Sequence, residues 1–180
     1  MLIRKHQSTL LFVDVQERLL PHISDGERLL ANCIWLARIA RRVGVPIIAS
    51  EQYPQGLGRT VPPLGEWITA EAVVEKVHFS CVADGCLKDH PAYARQQMVV
   101  AGTEAHVCVL QTVLDLADQG KEVFVVADAV SSRAPADREL ALARMRASGV
   151  NIVSREMVAF EWLERAGTDL FREVNREFLR

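Results

Sequence analysis

The sequence predicts a single α/β domain, a three-layer sandwich in which a six-stranded, mostly parallel sheet is flanked by helices. Six short apolar runs are continuous rather than alternating, which is typical of strands buried on both faces of a parallel sheet. Helix-periodic segments lie between these runs with short connections, and such repetition indicates a doubly wound sheet with right-handed crossovers. The 180 residues contain no internal repeat, low-complexity tract or linker, so we expect one domain over residues 1–180.

Each element is assigned from its local pattern. The predicted strands are 9–13 (TLLFV), 45–49 (VPIIA), 72–77 (AVVEKV), 97–101 (QMVVA), 122–127 (EVFVVA) and 150–153 (VNIV). The predicted helices are 27–43, 105–119, 135–148, 155–166 and 169–179. Gly44, Gly120 and Gly149 directly follow the first three helices, and Pro135 begins the third, as is usual at helix ends. The Pro- and Gly-rich stretch 50–70 fits neither pattern and is expected to form a wall of a functional site.

Composition excludes several classes of partner. The net charge is −2, with basic and acidic residues interleaved, so neither nucleic acid nor an anionic membrane is expected to bind. Apolar runs are far shorter than a membrane span, and the N-terminal residues lack the features of a secretory signal, so we expect a cytoplasmic protein. The four cysteines are accordingly expected to be thiols: Cys33, Cys81, Cys86 and Cys108.

Three reactive side chains fall at the carboxyl ends of predicted strands, where open α/β sheets bind ligands. Asp14 follows the first strand, Lys76 ends the third, and Cys108 lies in the first turn of the helix after the fourth. A helix N-terminus and a nearby ammonium both stabilise a thiolate, and a carboxylate can take the thiol proton and pass it to a leaving group. Each residue alone has an ordinary structural explanation. Together they predict a cysteine nucleophile.

The surroundings of these three residues supply a candidate pocket. Its predicted residues are Gln16, Gln52, Tyr53, Phe79 and Thr103. Pockets are mostly apolar with a few placed polar groups, which this set satisfies. Backbone N–H groups in the first turn around Cys108 offer an oxyanion hole. The segment 81–86 (CVADGC) has the wrong spacing for a zinc site and no second ligand pair, so neither a metal nor a cofactor is expected.

Five segments of the chain resemble the isochorismatase-like cysteine hydrolases, and among them the isochorismatase domain-containing proteins most closely. The segments are 12–23 (FVDVQERLLPHI), 50–64 (SEQYPQGLGRTVPPL), 75–81 (EKVHFSC), 102–116 (GTEAHVCVLQTVLDL) and 156–168 (EMVAFEWLERAGT). The resemblance implies that Asp14, Lys76 and Cys108 form a catalytic triad. It also implies a cis peptide bond between Thr103 and Glu104, with the Glu104 and Cys108 N–H groups forming the oxyanion hole.

The same resemblance narrows the expected chemistry. True isochorismatases hydrolyse a vinyl ether and lack the cysteine, whereas Cys108 favours attack on a small amide or carbamoyl substrate through a thioester. Nicotinamidases of the family bind a metal through an Asp-x-His motif, but this chain has Glu51, Gln52 and Tyr53 in that region. We therefore expect a hydrolase of C–N bonds other than peptide bonds.

Three alternatives to this function remain. The chain could be a vinyl-ether hydrolase that uses Asp14 as the acid and leaves Cys108 idle. It could instead be a non-catalytic binding module on the same fold. A thiol redox sensor is the third possibility, with Cys81 or Cys86 as the resolving cysteine.

The last helices carry more large apolar residues than one core face accommodates. They are Phe160, Trp162, Leu163, Phe171 and Phe178. This surplus predicts a homo-oligomer, which the family resemblance also implies.

Overall fold

The computed structural model describes residues 1–179, and its centre is a six-stranded sheet. The strands are β1 (Ser8–Val13), β2 (Ile47–Gln52), β3 (Val73–Lys76), β4 (Gln97–Thr103), β5 (Glu122–Ser131) and β6 (Asn151–Val153). Their order across the sheet is β3-β2-β1-β4-β5-β6, and every neighbouring pair is parallel. The predicted α/β class and six-stranded sheet are therefore confirmed.

Helices cover both faces of the sheet. They are α1 (Gly26–Val43), α2 (Pro54–Leu57), α3 (Pro62–Gly65), α4 (Cys81–Asp84), α5 (Leu110–Asp118), α6 (Pro135–Ala147), α7 (Arg155–Leu163) and α8 (Asp169–Phe178). One core joins the sheet to α1, α7 and α8, and the other joins it to α5 and α6. On β1, Leu10 and Phe12 belong to the first core, whereas Leu11 and Val13 belong to the second. Burial on both faces explains why the strands are continuously apolar.

Element boundaries differ from the prediction where the chain leaves the sheet. The helix expected from residue 105 begins instead with a π-helical turn, Ala105–Val109, before α5. Strand β5 continues to Ser131, four residues beyond the predicted end, because its register shifts at a bulge opposite β4. Both differences lie at the carboxyl edge of the sheet, so they shape the region where the candidate site was expected.

The irregular stretch 50–70 is held against this edge by a buried carboxylate. Glu51 at the end of β2 accepts hydrogen bonds from the N–H of Thr60 at 2.6 Å and from its hydroxyl at 2.9 Å. It also pairs with the Arg59 guanidinium at 2.9 Å. A buried carboxylate is stable only when it is paired and hydrogen-bonded, and here the partners come from the stretch itself. The stretch is thereby fixed as a wall beside the ends of β1 and β2.

The surplus apolar side chains of the last helices mostly pack inside the domain. Trp162 and Leu163 are buried, and Phe171 and Phe178 are partly buried against the α1 side of the core. Phe160 remains half exposed. The sequence argument for an oligomer therefore rests on fewer residues than expected. No helix among residues 1–179 has the length and apolarity needed to cross a membrane.

Candidate active site

Asp14 lies directly after β1 in the left-handed region, with φ of 52°. Its side chain is fully buried. Oδ1 accepts a hydrogen bond from the Ser50 hydroxyl at 2.6 Å, and Oδ2 accepts one from the Lys76 ammonium at 2.8 Å. The Thr103 hydroxyl donates to the Asp14 backbone carbonyl at 2.5 Å, which holds this unusual backbone conformation. The carboxylate therefore has a fixed position below the carboxyl edge of the sheet.

Lys76, at the end of β3, is the counter-ion of Asp14. Its ammonium also donates to Gln52 Oε1 at 2.6 Å and approaches the carbonyls of Phe79 and His78 at 3.0 and 3.2 Å. Burial alone would lower the pKa of Lys76, but the negative charge of Asp14 and the hydrogen bond to it raise the pKa above its usual value. The residue is therefore a buried, fully partnered ammonium, in agreement with the predicted strand-end position.

Cys108 lies in the π-helical turn that follows β4, and only 4% of its surface is exposed. Burial raises the pKa of the Cys108 thiol, and the charge of Asp14 and a hydrogen bond to it raise it further, while Lys76 opposes them. Burial and Asp14 therefore favour the protonated thiol, whereas Lys76 favours the thiolate, as expected from the sequence.

A cleft of about 690 Å³ opens above Cys108. The residues that line it are Arg18, Leu19, His22, Gln52, Leu57, Phe79, Glu104, Val107, Cys108 and Arg133. Asp14 and Lys76 lie beneath this surface with no exposed side-chain atoms. The arrangement consists of a mostly apolar cleft with one thiol in its wall and a buried ion pair beneath the surface.

Comparison with known proteins identifies the family. Residues 8–157 match the sequence model of the Isochorismatase domain. The chain belongs to the isochorismatase family. It is 37% identical over 172 residues to isochorismatase domain-containing protein 2 of Danio rerio, with 94% of this chain and 85% of that protein covered. The family predicted from the sequence motifs is therefore confirmed.

Two solved structures show the same fold at high similarity. The MAR1 ribonuclease of Caenorhabditis elegans superposes with a TM-score of 0.89 at 34% identity, covering 100% of this chain and 93% of that one. YcaC from Pseudomonas aeruginosa, solved with hexane-2,5-diol and covalent acrylamide, gives a TM-score of 0.89 at 28% identity, covering 99% and 92%. The names of these two relatives do not agree on a substrate, so the family establishes a hydrolase-type fold and not a particular reaction.

The turn before Cys108 differs from what the family resemblance implied. Every peptide bond within residues 1–179 is trans, so the expected cis bond between Thr103 and Glu104 is absent. The chain turns instead through Glu104, whose φ of 53° is left-handed. The Glu104 carbonyl accepts the N–H groups of Val107 at 2.9 Å and Val109 at 3.2 Å but not that of Cys108. The Glu104 N–H donates to no backbone carbonyl among the residues that the structure describes.

Two of the five predicted pocket residues, Gln52 and Phe79, line the cleft, and three do not. The Gln16 side chain bonds to backbone, donating to Gln52 O and Gly58 O and accepting from Gln52 N–H, and it makes no hydrogen bond to Asp14 through its side chain. Tyr53 is 55% exposed and lies outside the cleft wall. Thr103 is buried, and its hydroxyl is directed to the Asp14 carbonyl. Gln16 and Thr103 therefore position the site without touching the cleft.

Several lining residues were missed by the sequence analysis. Arg18, Leu19 and His22 come from the segment after β1, and Arg133 comes from the segment after β5. Their location beyond the carboxyl ends of strands was the available signal, because ligands bind at that edge. Nothing in the sequence shows which of the many side chains on such loops turn towards the cleft.

A second thiol lies close to the ion pair. Cys81 is fully buried. A hydrogen bond with Cys86 lowers the pKa of Cys81, and the same bond raises that of Cys86. Burial and the charge of Asp14 oppose the lowering at Cys81, whereas the charge of Lys76 and a hydrogen bond with Ser50 add to it. Cys86 Sγ also donates to the Cys81 carbonyl at 3.5 Å. The redox role considered for these cysteines remains an untested prediction.

Metal binding was also considered for this edge of the sheet. Within residues 1–179, no three His, Cys, Asp or Glu side chains lie close enough together to hold a metal ion.

Replacing Thr103 with valine tests how strongly the Asp14 backbone depends on its hydroxyl partner. The change removes the hydroxyl donor, so the buried Asp14 carbonyl loses this hydrogen bond. We expect a loss of about 1–3 kcal/mol in the free energy of unfolding. Urea denaturation measures this loss. Thr103→Ser keeps the hydroxyl and should retain most of the stability, and a Thr103→Val variant as stable as the wild type would show that the hydrogen bond does not contribute.

Proposed function

We propose that this protein is a cysteine-dependent hydrolase of small amide or carbamoyl compounds that forms a thioester on Cys108. The observation that carries the proposal is the thiol in the cleft wall, beside a buried carboxylate whose charge is balanced by Lys76. Membership of the isochorismatase family supports hydrolysis in general, and the cysteine points to acyl transfer.

In the acylation half, the Cys108 sulfur attacks the carbonyl carbon while its proton moves to Asp14. The negative charge passes from the carboxylate through the sulfur to the carbonyl oxygen, and the Glu104 and Cys108 N–H groups stabilise that oxyanion. Collapse of the tetrahedral intermediate breaks the C–N bond, and Asp14 returns its proton to the leaving nitrogen. An amine or ammonia departs and leaves a thioester.

In the deacylation half, Asp14 takes a proton from a water molecule, whose oxygen attacks the thioester carbon. The second tetrahedral intermediate uses the same two N–H groups. Cleavage of the C–S bond releases the acid, and the proton held by Asp14 returns to the sulfur. The cycle consumes one water molecule and restores the resting thiol.

Lys76 acts through its positive charge, which balances Asp14 and also affects Cys108. Its ammonium lowers the pKa of Cys108, opposing burial and Asp14, so it reduces the cost of forming negative sulfur at the moment of attack. Its other donors bind Gln52 and two carbonyls, which prevents it from rotating towards the cleft. Lys76 is therefore proposed as an electrostatic partner that does not exchange protons with the substrate.

The Pseudomonas aeruginosa neighbour supports a reactive nucleophile within this fold. Its structure contains covalent acrylamide, a small primary amide bonded within a protein of the same fold. A covalent adduct requires a nucleophile in that protein. For this chain, Cys108 is proposed as the equivalent reacting group because it is the thiol that lines the cleft.

A panel of small primary amides and carbamoyl compounds, assayed with wild type and Cys108→Ala, tests the proposal. We expect the wild type to release ammonia or an amine, and mass spectrometry after acid quench should find an acyl adduct on the peptide that contains Cys108. Cys108→Ala should show neither an adduct nor turnover above the background rate. Hydrolysis of an accepted substrate at the wild-type rate by Cys108→Ala would overturn the cysteine mechanism.

The same pair of proteins distinguishes the rival functions. A vinyl-ether hydrolase should cleave isochorismate equally well with and without the thiol. A ribonuclease, the activity named for the Caenorhabditis elegans neighbour, should degrade RNA in the absence of any amide turnover. Neither alternative is favoured here, because neither uses the thiol that lines the cleft.

Cytoplasmic location and homo-oligomeric assembly remain proposals of the same kind. Leu140, Met157 and Phe160 are the exposed large apolar residues of α6 and α7, and they support an interface between copies of the chain. Light scattering coupled to size-exclusion chromatography measures the assembly directly.

A further inference from the structure

We propose that Cys81 and Cys86 form a peroxide-reactive thiol pair, which hydrogen peroxide oxidises to a reversible disulfide across α4 while Cys108 stays reduced. The inference does not depend on the proposed function, because neither sulfur takes part in the hydrolytic cycle. It begins from the fold of one short segment, since α4 is a single helical turn, Cys81–Asp84, between the two cysteines. Gly85 ends the turn with a left-handed φ of 82°, so the chain reverses there and returns Cys86 towards the first residue of the turn.

Contacts place the two side chains in the same small region. Cys86 Sγ donates to the Cys81 carbonyl at 3.5 Å. Both side chains also pack in the core on the α5 side of the sheet, where Cys81 is fully buried and Cys86 is partly buried. A disulfide needs two cysteines whose backbones are already close, and a thiol that contacts the backbone of its partner meets this condition. The bond can therefore close without a rearrangement of the sheet.

Cys81 is the better nucleophile of the pair. Its pKa is lowered by a hydrogen bond with Cys86 and by the charge of Lys76, which together outweigh burial. The same hydrogen bond raises the pKa of Cys86, and burial followed by the charge of Asp14 raises that of Cys108. Because only a thiolate attacks peroxide at a useful rate, Cys81 reacts first among these three thiols.

A small cavity gives the oxidant a place beside Cys81. The side chain lines a cavity of about 80 Å³ next to α4, together with Val82 and Gly85. Since a water molecule occupies about 30 Å³ in the liquid, a molecule as small as hydrogen peroxide fits there and one as large as glutathione disulfide does not. Ala83 of α4 is exposed, so the cover over the thiol is one helical turn thick. Local opening of so short a surface element costs little free energy.

The reaction balances with hydrogen peroxide as the two-electron oxidant. The Cys81 sulfur attacks one peroxide oxygen, the O–O bond breaks, and the second oxygen takes up a proton and leaves as water, which gives a sulfenic acid. The Cys86 sulfur then attacks the Cys81 sulfur, the S–O bond breaks, and the hydroxyl leaves as water with the Cys86 proton. Two thiols and one peroxide thus give one disulfide and two water molecules, and a dithiol reductant reverses the change.

The pair is connected to the active site through the segment that supports Lys76. The backbone carbonyls of His78 and Phe79 bind the Lys76 ammonium, and the Phe79 side chain lines the cleft. Asp84 of α4 holds this segment by accepting the His78 backbone N–H at 3.0 Å. A disulfide across α4 changes the position of Asp84 relative to the segment, so we expect oxidation to alter the reactivity of the nucleophile as well.

Peptide-resolved mass spectrometry after treatment with hydrogen peroxide tests the pair directly. Trypsin releases peptide 77–88 with both cysteines of the pair, peptide 96–121 with Cys108, and peptide 29–38 with Cys33. After free thiols are blocked in denaturant, an internal disulfide leaves peptide 77–88 unblocked and two hydrogens lighter than its reduced form. We expect this form to appear about tenfold faster, or more, than oxidation of Cys108 or Cys33, since a pKa difference of one unit changes the thiolate fraction about tenfold.

Three variants identify the sulfurs involved. Cys86→Ser should stop the reaction at a Cys81 sulfenic acid, which dimedone traps in denaturant. Cys81→Ser should remove peroxide reactivity from peptide 77–88. Cys33→Ser takes away a buried thiol on the α1 side of the sheet and should leave disulfide formation unchanged.

Two results of the wild-type experiment would contradict the pair. A cross-link between peptides 77–88 and 96–121 would show that Cys108, and not Cys86, is the partner of Cys81. A peptide 77–88 that stays reduced at peroxide concentrations that oxidise Cys108 would show that the pair is not the peroxide-reactive site. Glutathione disulfide, which the cavity is too small to admit, should produce the internal disulfide at least about tenfold more slowly than peroxide at equal concentration.

Labelling of Cys108 by iodoacetamide measures the effect on the active site. In the fully oxidised wild type we expect the labelling rate to differ from that of the reduced protein by about threefold or more, which corresponds to a pKa change of about half a unit. Dithiothreitol should restore the original rate, and Cys81→Ser treated with peroxide should show no such change. An unchanged rate in protein whose peptide 77–88 carries the disulfide would refute the connection between α4 and the nucleophile.

Discussion

Replacing Asp14 with asparagine is expected to stop hydrolysis while making Cys108 easier to alkylate. Asp14 is proposed to carry the thiol proton during turnover, and loss of a general base of this kind lowers rates by about 10² to 10⁴. The charge of Asp14 also raises the pKa of Cys108, and its removal leaves the opposing effect of Lys76 in place. Two readouts of one variant should therefore move in opposite directions.

The sign of the alkylation effect follows from the thiol equilibrium. Only the thiolate reacts, and below the pKa each unit by which the pKa falls raises the thiolate fraction about tenfold. In the wild type, the rate of iodoacetamide labelling at Cys108 should still be rising with pH above pH 9, because the pKa of this thiol is raised. In Asp14→Asn the same rise should begin at lower pH. Peptide-resolved labelling between pH 6 and 10, with protection of the other cysteines checked separately, gives both profiles.

Two controls keep the Asp14 result interpretable. Asp118→Asn makes the same chemical change at an exposed carboxylate of α5 and should alter neither hydrolysis nor labelling. Asp14→Asn also leaves the Lys76 ammonium buried without its counter-ion, which costs about 3–5 kcal/mol in the free energy of unfolding. Circular dichroism and urea denaturation must therefore confirm that the variant is folded at the assay temperature. Slower labelling in a folded Asp14→Asn would show that the carboxylate does not suppress the resting thiolate.

The sheet and the three reactive side chains could be predicted because they depend on periodicity and connection order. A strand buried on both faces must be continuously apolar, so β1, β4 and β5 were recognisable from short runs. Parallel strands end at one edge, so residues after β1, β3 and β4 had to converge there. Asp14, Lys76 and Cys108 followed from these two rules without knowledge of any side-chain direction.

The remaining features depend on information that a linear pattern does not contain. Gln16 and Tyr53 are close in sequence to residues of the site, yet Gln16 bonds to the backbone of stretch 50–70 and Tyr53 lies outside the cleft. Arg133 reaches the cleft only because the loop after β5 directs it to Glu104. The direction of the Cys108 pKa depends on how deeply the thiol is buried, and burial is a property of the packed structure. The conformation of the loops and the depth at which side chains are buried could therefore not be predicted from the sequence.

A single glycine of β4 connects the fold to the site, and replacing it should have the largest effect on stability. An alanine Cβ at Gly102 would lie 2.1 Å from the carbonyl oxygen and 2.6 Å from the nitrogen of Val13, and the φ of 132° is one that side chains rarely adopt. Both contacts are with backbone that is paired in the sheet, so no rotamer change can relieve them. We expect Gly102→Ala to lower the free energy of unfolding by about 4 kcal/mol or more, which is exceptional for the addition of one methyl group.

Gly149→Ala separates the close approach from the backbone strain. Gly149 also has a positive φ, of 85°, but a Cβ there would meet no atom within 4 Å. Left-handed strain alone costs about 1–2 kcal/mol at Gly149, so the excess loss in Gly102→Ala reports the contact with Val13 together with a φ of 132° that glycine adopts far more readily than alanine. Urea denaturation of the two variants gives the comparison, and equal losses would refute the role of close packing. Because Val13 precedes Asp14 and Gly102 precedes Thr103, any folded Gly102→Ala must displace the carboxylate relative to its Thr103 partner, and its hydrolytic rate should fall even where Gly149→Ala retains full activity.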